Sequence, residues 1–169
     1  DFSLIRGVIA INHEQRERIV RKVAAAAGRA IDPTVGPGAG HLDGIAVGAL
    51  GLTYKAGTDD LRESPAVAII ERLLALGASV TAYDPTAVGE LDGVQRYRLG
   101  DLPRAADAYA AAAGADVLVV LTEWPEFAEL RLDSIAGVLR GSTIVDARNV
   151  LSPDDVRAAG LAYVGVGRR

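Results

Sequence analysis

"GIAVGALGLTYKAGTDDLRESPAVAIIERLLALGASVTAY", residues 44 to 83, decides the fold. It opens on a continuous apolar run, "GIAVGAL", which suits a strand buried on both faces. It closes on a second strand, "SVTAY". Between them "SPAVAIIERLLALG" has helical spacing, with Ser64 placed to cap the helix and Pro65 suited to its first turn. A strand, a helix and a strand in 40 residues make a βαβ unit, whose two strands run parallel. The connection into the helix, "GLTYKAGTDDLRESPA" at 51–66, is unusual. It crowds Lys55, Asp59, Asp60, Arg62 and Glu63 into nine residues, for a formal sum of −1.

The same alternation continues to the end of the chain. Helical "DLPRAADAYAAAAG" leads to the strand "DVLVVL", helical "LDSIAGVL" to "STIVDA", and helical "SPDDVRAAG" to "LAYVGV". Five apolar strands alternating with helices predict an α/β fold, a Rossmann-like parallel sheet with helices on both faces. Upstream, residues 3 to 28 predict one helix that precedes this unit, with Gly28 as its C-terminal stop. Its apolar face is interrupted in the middle by Asn12, Gln15 and Arg16. Residues 30 to 43, "AIDPTVGPGAGHLD", read as a Gly/Pro-rich linker. The expected organisation is therefore a helix at 1–29, a linker at 30–43 and an α/β domain at 44–169.

Composition narrows the function. The 169 residues carry no cysteine, which excludes disulfides, thiolate zinc sites and a cysteine nucleophile within them. Two histidines exclude a histidine-rich metal site. The net charge of −4 is spread along the chain without a basic stripe, so no nucleic-acid partner is expected. No apolar run reaches membrane-spanning length and no signal peptide is visible, so a cytoplasmic location is expected. The chain begins without Met, as a piece of a longer protein would.

Parallel sheets bind ligands beyond the carboxyl ends of their strands, at a switch in strand order. The residues following each strand are thus the candidates: Thr53-Tyr54-Lys55, Asp84-Pro85, Thr122-Glu123-Trp124, and Asp146 with Arg148 and Asn149. Lys55 and Arg148 on one rim would favour an anion. The start of the helix after Ser64 adds free N–H groups, and Arg62 a planar fork for phosphate. The competing reading of 51–66 is a salt-bridged helix start that binds nothing. The dinucleotide fingerprint G-x-G-x-x-G is missing, because Gly48, Gly51 and Gly57 do not have its spacing. Asp84 is either the ribose-binding acid of a Rossmann unit or a turn residue before Pro85. Trp124 either stacks on a base or anchors packing.

Over "GLTYKAGTDDLRESPAVAIIERLLALGASVTAYDP", with "INHEQRERIV", "TEWPEF", "VDARNVL" and "YVGVGR" in order around it, the sequence resembles the C-terminal domain of the UDP-glucose/GDP-mannose dehydrogenase family. Such enzymes have an N-terminal NAD domain, a long central helix and a C-terminal nucleotide-sugar domain. They oxidise the sugar C6 alcohol to a carboxylate with NAD, through thioester chemistry on a cysteine. The resemblance implies that Lys55 and Arg148 contact the substrate, with Tyr54 where the family often has Phe. It implies that Arg62 faces the NAD pyrophosphate, and that the helix at 1–29 is the end of the central, dimer-forming helix. The expected partners are a UDP-sugar, the missing NAD domain and a second copy, with UDP-glucose the first choice of substrate. No catalytic residue is expected on this chain. GDP-mannose or UDP-N-acetylmannosamine as substrate, a non-catalytic interaction domain, and an independent NAD domain are the alternatives.

Overall fold

The computed structural model describes residues 2–31, 40–86, 99 and 101–167. The first helix, α1 (Ser3–Ala26), is followed by β1 (Ala46–Leu50), α2 (Pro65–Ala75), β2 (Ser79–Tyr83), α3 (Ala108–Ala112) and β3 (Val117–Val120). Then come α4 (Pro125–Ala128), α5 (Leu132–Val138), β4 (Thr143–Asp146), α6 (Pro153–Ala158) and β5 (Ala162–Gly165). All strand pairs are parallel, in the order β2-β1-β3-β4-β5. The chain steps outward from β1 to β2, then returns to β1's other side for β3. The switch point therefore lies between β1 and β3.

Both faces of the sheet are covered, as the apolar runs predict. Along the strands, alternate residues enter separate cores. Val47, Ala49, Val117, Val119 and Val145 pack with α1 and α2. Leu50, Leu118, Val120 and Ile144 pack on the other face with Ala108, Phe127, Ile135 and Val156 from α3 to α6. Each buried Val, Leu or Ile contributes about 1.5–3 kcal/mol relative to exposure, so this double layer is the main source of stability.

The C-terminal half of α1 belongs to that core. Ile19, Val20, Val23 and Ala24 are buried against the sheet. The Glu17–Arg72 pair at 3.4 Å and the Lys22 ammonium, donating to the Gly165 carbonyl at 2.7 Å, fix the docking. Gly28, with φ +70°, ends the helix: the Arg29 N–H donates to the Ala24 carbonyl at 2.8 Å and the Gly28 N–H to Ala25 at 3.0 Å. The N-terminal half of α1 leaves the body of the protein, and Phe2, Leu4, Ile5, Val8, Ile9 and Ile11 are exposed.

Most of the expected linker lies outside the described residues. Its end does not: Leu42 is fully buried and its N–H donates to the Leu76 carbonyl at 2.8 Å. The helix expected over 101–114 is confined to Ala108–Ala112. Pro103 and Arg104 instead run alongside β2, where the Ala82 N–H donates to the Pro103 carbonyl and the Ala105 N–H to Ala82. Asp107 then caps α3, accepting from the Ala110 N–H at 2.7 Å. The single turn α4, opened by Pro125, was not expected from the sequence.

Candidate functional site

The charged connection is held together locally. The Asp60 carboxylate accepts from the Arg62 side chain at Nε (3.0 Å) and Nη2 (2.9 Å) and from its backbone N–H at 2.9 Å. These bonds hold Asp60 well below the usual carboxylate range, at about 2, so the pair is intact near neutral pH. The Tyr54 N–H donates to the Asp60 carbonyl at 2.8 Å, folding 54–60 into a closed loop. Ser64 accepts from the Ala66 N–H at 3.2 Å and donates to the Leu52 carbonyl at 2.7 Å. Ser64 therefore caps the start of α2, as its place in the sequence predicts, and takes up the Ala66 N–H.

Asp84 settles its two readings in favour of structure. Its carboxylate is 4% exposed. One oxygen accepts from the Leu52 N–H (2.7 Å), the Thr53 N–H (3.0 Å), the Thr53 hydroxyl (3.1 Å) and the Trp124 indole N–H (3.2 Å). The other accepts from the backbone N–H and hydroxyl of Thr86, each at 3.1 Å. Asp84 thus ties together the loops that leave β1, β2 and β3, and does not face a ribose. Trp124, on the same carboxylate and buried in the second core, is a packing anchor. Asp146 does similar work after β4, accepting from the N–H groups of Arg148 (3.0 Å) and Leu151 (2.8 Å).

These ties shape a cleft of about 720 Å³ at the carboxyl edge, beside the switch point. Its polar lining comes from Asn12, Gln15 and Arg16 of α1, Tyr54 and Glu63 of the charged connection, and Arg148. Its apolar lining includes Ile9, Ile19, Pro65, Ile69, Leu121 and Val166. The Arg148 guanidinium is aimed by its Nε, which donates to the Leu121 carbonyl at 2.9 Å and lies 3.1 Å from the Glu123 carboxylate. No hydrogen bond from either Arg148 Nη is formed among the described residues, so the terminal fork remains for a ligand. Glu63 has φ +53°, an uncommon conformation for a non-glycine residue, held at the rim of the cleft.

Of the residues singled out in the sequence, Tyr54 and Arg148 line this cleft together. Lys55 is exposed on the same edge but does not line it. Arg62, with its side chain 83% exposed, points away into solvent beside Asp60. Lys55 and Arg148 follow β1 and β4, two strands apart and so about 10 Å at the sheet. Glu63 and Glu123 belong to the stretches singled out in the sequence, whereas the three polar residues of α1, Asn12, Gln15 and Arg16, were not expected at the site. Their one signal in the sequence was the polar break in the face of α1.

Among the described residues, no cluster could hold a metal ion and no helix is long and apolar enough to cross a membrane. Among the described residues, the connection after β1 does not have the form of a dinucleotide-binding loop. The β1–α2 connection lacks the glycine fingerprint, and its helix start is already capped.

A doubly wound sheet with a mixed polar and apolar cleft at its switch point defines a nucleotide-binding α/β domain. Over residues 48–153 the chain matches the UDP binding domain of the UDP-glucose/GDP-mannose dehydrogenase family, and it belongs to that family. It is 38% identical over 167 residues to the UDP-glucose 6-dehydrogenase of Rhizobium meliloti (strain 1021), covering 98% of this chain and 34% of that protein. Among solved structures it is similar to a UDP-glucose dehydrogenase from Pyrobaculum islandicum (TM-score 0.72, 29% identity, 97% of this chain and 32% of that one). It is also similar to the UDP-D-ManNAc dehydrogenase of Pyrococcus horikoshii (TM-score 0.71, 28% identity, 99% and 34%). The chain spans about a third of the length of the curated relatives it matches.

Proposed function

We propose that this chain is the nucleotide-sugar-binding part of an NAD-dependent UDP-glucose 6-dehydrogenase, which oxidises UDP-glucose to UDP-glucuronate in the cytoplasm. The observation that carries the reading is the convergence of Tyr54 and Arg148, from loops 94 residues apart, on one cleft at the switch point of a UDP-binding family domain. Arg148 grips the diphosphate with its free fork, Lys55 adds a mobile charge from the rim, and Tyr54 lies against the nucleotide. The domain that binds NAD and supplies the cysteine lies outside these 169 residues, which contain no cysteine. Arg62, exposed beside Asp60, would reach toward a cofactor held by that domain.

Titration calorimetry with UDP tests this reading. Arg148→Ala is expected to weaken binding by roughly 1.5–3 kcal/mol, the value of a charge-assisted hydrogen bond, and Lys55→Ala by less. UDP affinity unchanged in both variants would dismiss the site. The similarity to a UDP-D-ManNAc dehydrogenase favours a second reading of the substrate, in which the same cleft takes UDP-N-acetylmannosamine.

The exposed apolar half of α1 supports a homodimer through this helix, which would be the end of a longer central helix with the linker at 30–43 behind it. Deleting residues 1–29 would open the core at Ile19, Val20 and Val23, so a milder change is the proper test. Leu4→Asp with Val8→Asp is expected to halve the mass seen by sedimentation. A mass unchanged by that pair of charges would remove α1 as the contact.

A further inference from the structure

The polar break in α1 has a structural reason. Ile9, Asn12, Arg16 and Ile19 recur at intervals of three and four residues and form one stripe of the helix. Where the stripe lies over the sheet, at Ile19 and Val23, it is apolar and buried. One and two turns earlier the same stripe overhangs the cleft, and there it presents Arg16 and Asn12, with Gln15 beside them. The face is therefore continuous in direction; what changes is what lies beneath it.

Arg16 and Arg148 thus line one cavity from different elements, α1 and the loop after β4. Arg16 is half-buried, and its Nε donates only to the Asn12 carbonyl of its own helix, at 3.3 Å. Among the described residues no carboxylate pairs with it, although Glu14 and Glu17 on either side pair with Arg21 and Arg72. The one acidic residue in the lining is Glu63. Arg148 has its Nε beside Glu123 but a free terminal fork, and Arg16 has no carboxylate partner, so both can turn N–H donors to an anion in the cavity they share.

We propose that α1 is a wall of the nucleotide site, and that Arg16 is a second cation gripping the diphosphate opposite Arg148, with Asn12 and Gln15 offering neutral hydrogen bonds beside it. This rests on the UDP-binding reading of the cleft.

The test is UDP calorimetry on the full 169-residue chain with Arg16→Ala, Arg16→Lys and Arg148→Ala, with thermal unfolding of each to verify the fold. Arg16→Ala is expected to weaken UDP binding by roughly tenfold or more, at the lower end of what a charge-assisted hydrogen bond supplies. Arg16→Lys should restore much of it, and Arg16→Ala should bind with less dependence on salt than the parent. A merely structural role for Arg16 would lower the melting temperature and leave the salt dependence intact, which would overturn the proposal. UDP binding lost in Arg148→Ala but unchanged in Arg16→Ala would also overturn it, while leaving the cleft as the site. No UDP binding by the parent chain at millimolar concentration would remove the UDP-binding reading and this inference with it.

Discussion

Asp84→Ala is expected to destabilise the protein by about 3–5 kcal/mol, the cost of leaving several buried donors without their acceptor, partly relaxed. The Leu52 and Thr53 N–H groups and the Trp124 indole N–H all donate to a single Asp84 oxygen at 2.7–3.2 Å. Alanine leaves these donors buried and unmatched, at about 1–3 kcal/mol each before relaxation. For a domain of this size that corresponds to a fall in melting temperature on the order of 10 °C. Asp84→Asn should cost less, because the amide oxygen can still accept while its NH2 group opposes the donors around it. Urea unfolding of the three proteins checks the order. A loss below about 1 kcal/mol in Asp84→Ala would mean that water satisfies these groups, and Asp84 would no longer be the anchor of the edge. The consequence for function is direct. The loop that Asp84 holds at Leu52 and Thr53 continues into Tyr54, so UDP affinity should fall along with stability.

How much of this was legible in the sequence depends on whether the signal is local. The strands announced themselves as apolar runs, because a strand covered on both faces has no polar side to show. The stop of α1 at Gly28 was legible for the same reason: a left-handed residue at a helix end is a local demand. Strand order was not legible, since nothing in residues 44–50 states that β1 will lie between β2 and β3. The aim of Arg148 was not legible either. It depends on the Leu121 carbonyl, 27 residues away, and on a Glu123 carboxylate delivered by a neighbouring strand. Asp84 and Trp124 each allowed two roles until their side chains were seen to meet at 3.2 Å. The charges of residues 55–63 sum to −1, so in the sequence an anion site and a salt-bridged helix start both stood open. Geometry divides them differently, with Asp60 and Arg62 engaged with each other and Glu63 turned to the cleft. The break in α1 was visible as a pattern, but its meaning required knowing what the helix overhangs.

The same edge makes its second large demand at Gly51, the first residue after β1. Its φ of +96° is outside the range that residues with a Cβ favour. A Cβ there would lie 2.4 Å from the Thr122 Cβ and 2.7 Å from the Thr122 backbone nitrogen, since the β1 and β3 loops cross at this point. Gly51→Ala is expected to cost about 2–5 kcal/mol, adding about 1–2 for the backbone conformation to about 1–3 for forced overlap. The two parts can be separated. Thr122→Gly removes the side-chain overlap but not the backbone nitrogen, so the double variant should recover only part of the loss, measured as a coupling energy between the two sites. Full recovery would show that the backbone at 51 is unstrained. The collision also reaches the ligand. Thr122 follows Leu121, whose carbonyl aims the Arg148 guanidinium at 2.9 Å. Pushing Thr122 away from Gly51 therefore displaces the acceptor that holds Arg148, and Gly51→Ala should lose UDP affinity even at temperatures where it remains folded. The glycine contributes no atom to the cleft, yet it lets two loops approach closely enough for the cation to be held in place.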